Sequence, residues 1–303
     1  MEVSRKISHP QIVRFNPRSF GVAPARLPKA TREMAASSKR ILVMFKPDSL
    51  GLEMAPEGLQ ILKQGLKREK IDFRIAGLVL LNMTPQIVDM IYSEHKGKDW
   101  FERVQKPFYT GNYPNKSTVN APLLAAMLEI RNDSNRDNIS IIRKNIIGPT
   151  YIEEFADKID EVKNTIRYKL VLEKKTDPWP FPNEEFGGPN YNRLHCSADE
   201  QAAGGELYPI FGLKGLLSPL YEPEAVKYLL SSFGKSDFVN VPGVVRIPLH
   251  EYLGSDPVVL SKKMIKAFND NGCNYKDFDS QKSARLVKSL NGMKDIIHGQ
   301  GFF

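Results

Sequence analysis

The chain has 303 residues, of which 41% are hydrophobic and 26% charged, and a net charge of +8. That length allows one or two domains with a real core, and no window approaches the ~18 uninterrupted apolar residues of a membrane helix. The N-terminus has no apolar signal-type run, and two cysteines, Cys196 and Cys273, make neither a disulfide framework nor a C-x-x-C site. An intracellular, reducing compartment, by default the cytoplasm, is therefore expected, with no membrane partner.

The basicity is local. Residues 1–40 carry nine Lys or Arg against only Glu2 and Glu33, so they hold +7 of the +8. This argues against a nucleic-acid-binding core and confines any such contact to the tail. Residues 1–38, with scattered prolines and no sustained apolar period, are expected to be a disordered tail. A solubilising extension is the first reading, and an Arg-rich, acid-poor organelle-targeting segment is the other.

The predicted elements then follow in order. Arg40–Phe45 is an apolar strand stopped at Lys46-Pro47-Asp48. Residues 55–69 place Leu59, Leu62 and Leu66 on one helical face. Ile71–Leu81 is a second strand, and Thr84-Pro85 opens a helix that runs to Tyr92, with threonine as N-cap and proline at N1. A polar loop, Asn112–Asn120, precedes a third strand over Pro122–Ile130. Asn138–Ile147 is helical and stops at Gly148-Pro149, and Tyr168–Leu172 alternates weakly as a fourth strand. A long proline- and aromatic-rich loop covers 173–191, with Trp179, Phe181 and Phe186. Beyond it come helical patterns at Pro223–Leu230, Val258–Asn269 and Gln281–Ile297 and an extended piece, Phe238–Pro248. Strands alternating with helices fit a ferredoxin-like sandwich and a doubly wound sheet equally.

Phosphate-binding loops of the G-x-x-x-x-G-K-[ST] and G-x-G-x-x-G types are absent, as is H-E-x-x-H. Any phosphate chemistry must use side chains. The stretch Asn192-Arg193-Leu194-His195-Cys196-Ser197-Ala198-Asp199-Glu200 is the candidate. Ser197-x-x-Glu200 matches a capping box, which predicts a helix from Ser197 and places His195 just ahead of an anion-favouring N-terminus. A nucleophilic histidine needs a partner for its other ring nitrogen. Glu206, expected near the end of that helix, is the best candidate. Cys196 is the competing nucleophile, and an isolated histidine is more often structural than catalytic.

Several motifs together resemble the nucleoside diphosphate kinase family: Leu42–Asp48 ending in Lys-Pro-Asp, Tyr92–Phe101 with His-Lys-Gly-Lys and paired aromatics, and Tyr109-Thr110-Gly111. Lys144–Thr150 ending in Gly-x-Thr, Thr165-Ile166-Arg167, Asn192-x-x-His195-x-Ser197, Glu206 and Leu220–Glu224 continue the series in order over about residues 40–235. The resemblance implies an α/β (α+β) ferredoxin-like sandwich with a four-stranded antiparallel sheet. Residues 39–235 would form the kinase-like domain, with insertions near 112–121 and 173–191, and 236–303 a helical C-terminal extension.

It also implies ping-pong transfer of the γ-phosphate of ATP or another nucleoside triphosphate to a nucleoside diphosphate. His195 would be the nucleophile, oriented by Glu206 through Ser197. Lys46, Tyr92, Arg143, Lys144, Thr150, Arg167 and Asn192 would contact phosphate or sugar, and Trp100 would stack on the base. Mg2+ would be held mainly by the nucleotide, with no protein metal site, and a homo-oligomer is implied. Two alternatives are phosphohistidine transfer to another acceptor and a nucleotide-binding interaction module with little turnover. Departures are Cys196 where the family has glycine, Ala198-Asp199, Ser49, and Lys144 where the family has arginine, a change that loses bidentate phosphate contact.

Overall fold

The computed structural model describes residues 38–51, 53–110, 120–131, 136–149, 158–173, 193–217 and 243–297. The expected tail, most of the loops at 112–120 and 173–191, and the helix at 223–230 lie outside the described residues. So do Thr150 and Asn192.

Strand β1 (Ser38–Phe45) runs into a short helix α1 (Pro47–Gly51), then α2 (Ala55–Arg68), β2 (Phe73–Leu81) and α3 (Pro85–Ile91). Thr84 caps α3 as expected, its hydroxyl accepting from Ile87 N at 3.4 Å. A π-turn at Phe101–Gln105 leads into α4 (Lys106–Thr110), followed by β3 (Leu123–Arg131). Helix α5 (Asn138–Ile141) continues as a π-helical turn over Ile142–Ile147. After α6 (Ile159–Val162) come β4 (Leu194–Cys196), α7 (Glu200–Leu217), β5 (Arg246–Pro248), α8 (Pro257–Asp270) and α9 (Ser280–Asn291).

The sheet has five strands in the order β4-β1-β3-β2-β5, and every strand pairing is antiparallel. Its first four strands have the ferredoxin-like order. Strands β1 and β2 both run against β3 and are joined over α2, while β3 and β4 both run against β1. Helices cover both faces, which is why Ile41–Phe45 and Leu123–Leu128 are continuously apolar and buried. Helix α2 lies close on one face, where a Cβ on Gly58 would sit 2.4 Å from Phe45 Cε1. Helix α7 lies on the other, and a Cβ on Gly77 would sit 3.1 Å from both Met127 Cε and Phe211 Cε1. At the far end of that second face Glu129 is fully buried, held by Arg74 at 2.5 Å and Arg40 at 3.7 Å.

Two expectations change. Tyr168–Leu172 is not a strand; Tyr168–Glu173 is a π-helical turn. Thr165 accepts Tyr168 N–H at 3.4 Å, and Ile166 and Leu170, four apart, are both buried on one side. That helical spacing overrides the weak alternation. The fourth strand is β4, which carries His195. The fifth strand comes from the C-terminal segment, otherwise helical as expected. Together β5, the Ile75 N–H to Ile296 carbonyl bond (2.9 Å) and the Leu78 N–H to His250 Nδ1 bond (3.2 Å) cover the outer edge of β2.

Gly148 ends the π-turn at φ 94°, and a Cβ there would lie 2.5 Å from Thr165 Oγ1. Its carbonyl also accepts from Arg167 Nη1 at 2.7 Å. Gly148→Ala is expected to destabilise the chain by about 1–3 kcal/mol through backbone strain alone. Urea unfolding reads this as a lowered midpoint; an unchanged midpoint contradicts it.

Candidate active site

His195 sits on β4 opposite Met44 of β1, with Leu194 and Cys196 buried on either side. Its Nε2 lies 2.8 Å from Glu206 Oε1. The other carboxylate oxygen, Oε2, accepts the Ser197 hydroxyl at 2.6 Å, and Ser197 Oγ accepts Leu42 N–H at 2.9 Å. Ser197 N–H donates to the Leu42 carbonyl at 3.0 Å. Ser197 therefore extends the β1 pairing and is not the expected helix cap. Asp199 takes that place: its carboxylate accepts Ala202 N–H at 2.8 Å and its carbonyl accepts Ala203 N–H at 3.1 Å. The helix starts at Glu200, and Glu206 falls on its second turn, not near its end. At the helix N-terminus the Asp199 carboxylate satisfies the Ala202 N–H.

With Glu206 accepting at Nε2, the neutral imidazole carries its proton there and presents a lone pair at Nδ1. No hydrogen bond engages Nδ1 among the described residues. Tyr92 sets its ring edge against His195, centroids 5.5 Å apart at 80°, and its hydroxyl meets that of Tyr109 at 2.6 Å. Burial pushes both phenols upward, so both stay protonated.

The cations converge from separate elements. Lys46 follows β1 and is buried, with Nζ 5.8 Å from the centre of the Tyr109 ring. Burial pulls its ammonium down to about 7; Asp48 partly offsets this, and Arg167 and Arg193 add to it. Arg167 is buried, donating to the Gly148 carbonyl at 2.7 Å and the Leu194 carbonyl at 3.2 Å. Burial lowers its guanidinium to about 10, still charged at neutral pH. Cys196 is pushed up to about 12, chiefly by burial, which removes it as a competing nucleophile.

Arg143 and Lys144 both lie on the π-turn, and both are exposed. Gly148 N–H bonds to the Arg143 carbonyl, five residues back, at 3.0 Å. The wider turn shifts the helical phase, and Arg143 Nη1 reaches the Ala198 carbonyl at 3.1 Å. The Lys144 side chain makes no hydrogen bond or ion pair with another described residue. Trp100 is half-buried against His95 (5.0 Å) and Phe101 (6.1 Å).

The structure also brings in residues not singled out from the sequence. His95 stacks on Tyr92 at 6.0 Å and 17°. Its three-residue spacing from Tyr92 is the signal that could have found it. Tyr109, Asp48 and Arg193 lie inside quoted motifs but had no assigned role. Among the described residues, no group of three or more His, Cys, Asp or Glu could hold a metal ion. No helix among them is long and apolar enough to cross a membrane.

No known family profile matches the chain. A nucleoside diphosphate kinase of Sulfurisphaera tokodaii is 25% identical over 184 residues, 61% of this chain and 96% of that protein. Among solved structures, the Aquifex aeolicus nucleoside diphosphate kinase is 23% identical, covers 58% of this chain and 96% of its own, and has a TM-score of 0.38. The Halobacterium salinarum enzyme, solved with CDP, is 19% identical, covers 63% and 98%, and also scores 0.38.

The depressed Lys46 carries a stability signature. Between about pH 7 and 10.5 the unfolded state binds more protons at Lys46 than the folded one, so the unliganded protein gains stability as pH rises through that window. Below pH 7 the penalty for the buried ammonium is fully present. Lys46→Met is therefore expected to be more stable than wild type at about pH 6, with the difference shrinking toward pH 10. Urea unfolding across that range measures it; a difference independent of pH contradicts it.

Proposed function

From a chain that is a divergent member of the nucleoside diphosphate kinase family, we propose an enzyme that carries a phosphoryl group on His195 between nucleotides. The observation that carries the proposal is the His195–Glu206–Ser197 chain, at 2.8 and 2.6 Å. In the first half-reaction the His195 Nδ1 lone pair attacks the γ-phosphorus of a nucleoside triphosphate. The P–N bond forms as the P–O bond to the β-phosphate breaks, and the nucleoside diphosphate leaves with that electron pair. Glu206 holds the Nε2 proton and offsets the positive charge that develops on the ring. In the second half-reaction a terminal oxygen of another nucleoside diphosphate attacks the same phosphorus and frees the histidine.

The rest of the site supplies position and charge, which phosphoryl transfer needs most. Lys46, Arg143 and Arg167 neutralise the phosphates, Tyr92 packs beside the histidine, and Trp100 offers a half-buried face to a base. Asn192 and Thr150 are further proposed contacts. Mg2+ fits this site as a companion of the nucleotide: the nearby side chains are mainly cations, and both Glu206 oxygens are engaged, so phosphate oxygens would hold it. When bound it supplies further neutralisation of the phosphates.

Two outcomes follow. Incubation with γ-labelled ATP and Mg2+ should leave acid-labile, base-stable label on wild type and none on His195→Ala. Equal labelling removes His195, and a blank wild type that still binds ATP points to a binding module. Arg143→Ala should slow labelling about 10- to 100-fold, with Lys144→Ala close to wild type; the reverse order contradicts the helical phase argument.

A further inference from the structure

Arg193 lies between the strand of His195 and the turn of Lys46, and nothing in the proposed reaction uses it. It is one of only three non-glycine residues with positive φ among those described, at 63°. Side chains avoid that conformation unless surrounding contacts enforce it. Here three contacts do so. The Arg193 carbonyl accepts Lys46 N–H at 3.0 Å and the Ser49 hydroxyl, and Nη1 meets Asp48 Oδ2 at 3.0 Å. Arg193 and Asp48 are 7% and 3% exposed.

Asp48 is the critical partner. It is a buried carboxylate two residues from Lys46, and its second oxygen, Oδ1, has no hydrogen-bond partner. A buried carboxylate left without a cation recruits the nearest one. Lys46 is within electrostatic reach of Asp48, which among the described residues acting on Lys46 is the one that favours its charge. Among the described residues, the charged or polar groups acting on Lys46 include Asp48 on α1, Arg193 ahead of β4, Arg167 on the 165–173 segment and the Tyr109 ring on α4.

We propose that Arg193 is a positioning residue: by engaging Asp48 it prevents that carboxylate from capturing Lys46, and so keeps the ammonium directed at nucleotide phosphate. This rests on the phosphate-binding role given to Lys46 above. The same contacts fix the Lys46 turn against the strand that bears His195, so one residue sets both groups.

The direct test is NMR of 13C,15N-lysine protein, with Lys46 assigned through Lys46→Met, alongside labelling by γ-labelled ATP. Arg193→Gln keeps a polar side chain that can still donate a hydrogen bond but removes the charge. In it the Lys46 titration should move upward, toward the ordinary lysine range, and His195 labelling should slow about tenfold or more. Arg193→Lys should retain the low Lys46 titration and most of the labelling. The double variant Asp48→Asn/Arg193→Gln removes the captor as well, and should return both readouts toward wild type. That rescue distinguishes positioning from a merely structural role. A folded Arg193→Gln with unchanged Lys46 titration overturns the proposal, as does a double variant no better than the single. If wild type takes no label, the phosphotransfer reading fails, while the Lys46 titration series still decides this inference.

Discussion

A buried carboxylate has to be satisfied, and Glu206 is 7% exposed. One oxygen takes His195 and the other takes Ser197, whose own oxygen closes onto the backbone of Leu42. This short relay ties β1, β4 and α7 together at one point on the sheet. It fixes which ring nitrogen of His195 is occupied and which faces outward. It also explains why Ser197 is unavailable to cap α7 and why Asp199 does so instead. Leaving Glu206 without either partner would strand a buried charge, which is costly.

Around this relay the fold gathers the buried cations Lys46, Arg167 and Arg193. Lys46 and Arg167 are both depressed by burial, and the main carboxylate beside them, Asp48, is paired with Arg193. Such a cluster lowers the stability of the unliganded protein and favours any polyanion that enters. A nucleotide phosphate would restore the lysine proton that burial tends to remove. This cost to stability is what supports the proposed ligand-binding role.

Much of this was legible in the sequence because it is local. The apolar run ending at Lys46-Pro47, the Leu59/Leu62/Leu66 face and the Thr84-Pro85 cap each report on a few neighbouring residues, and each element forms where it was expected. The spacing of Glu206 from His195 and Ser197 likewise places the three in contact. What failed depended on competition between local and distant partners. Ser197 matches a capping box, but Leu42 of β1 takes its hydroxyl. Tyr168–Leu172 alternates weakly, but Thr165 and the Ile166/Leu170 spacing make it helical. The π-type hydrogen bond from Gly148 N–H to the Arg143 carbonyl, which sets the phase of Arg143 and Lys144, is likewise not revealed by residue types. Strand β5 was hidden within a longer extended stretch, because its partner, β2, lies more than 160 residues earlier. Arg193 carried no motif signal, since the role proposed for it comes from a backbone conformation and a partner, Asp48, on helix α1.

The central claim is that Glu206 holds Nε2 of His195 and leaves Nδ1 to take the phosphoryl group. The most direct measurement is 31P NMR of the protein after reaction with ATP and Mg2+, compared with authentic phosphohistidine isomers under denaturing alkaline conditions. The expected result is a single phosphohistidine substituted at Nδ1. Phosphate found on Nε2, or on a residue other than His195, would contradict the orientation that the Glu206 relay imposes.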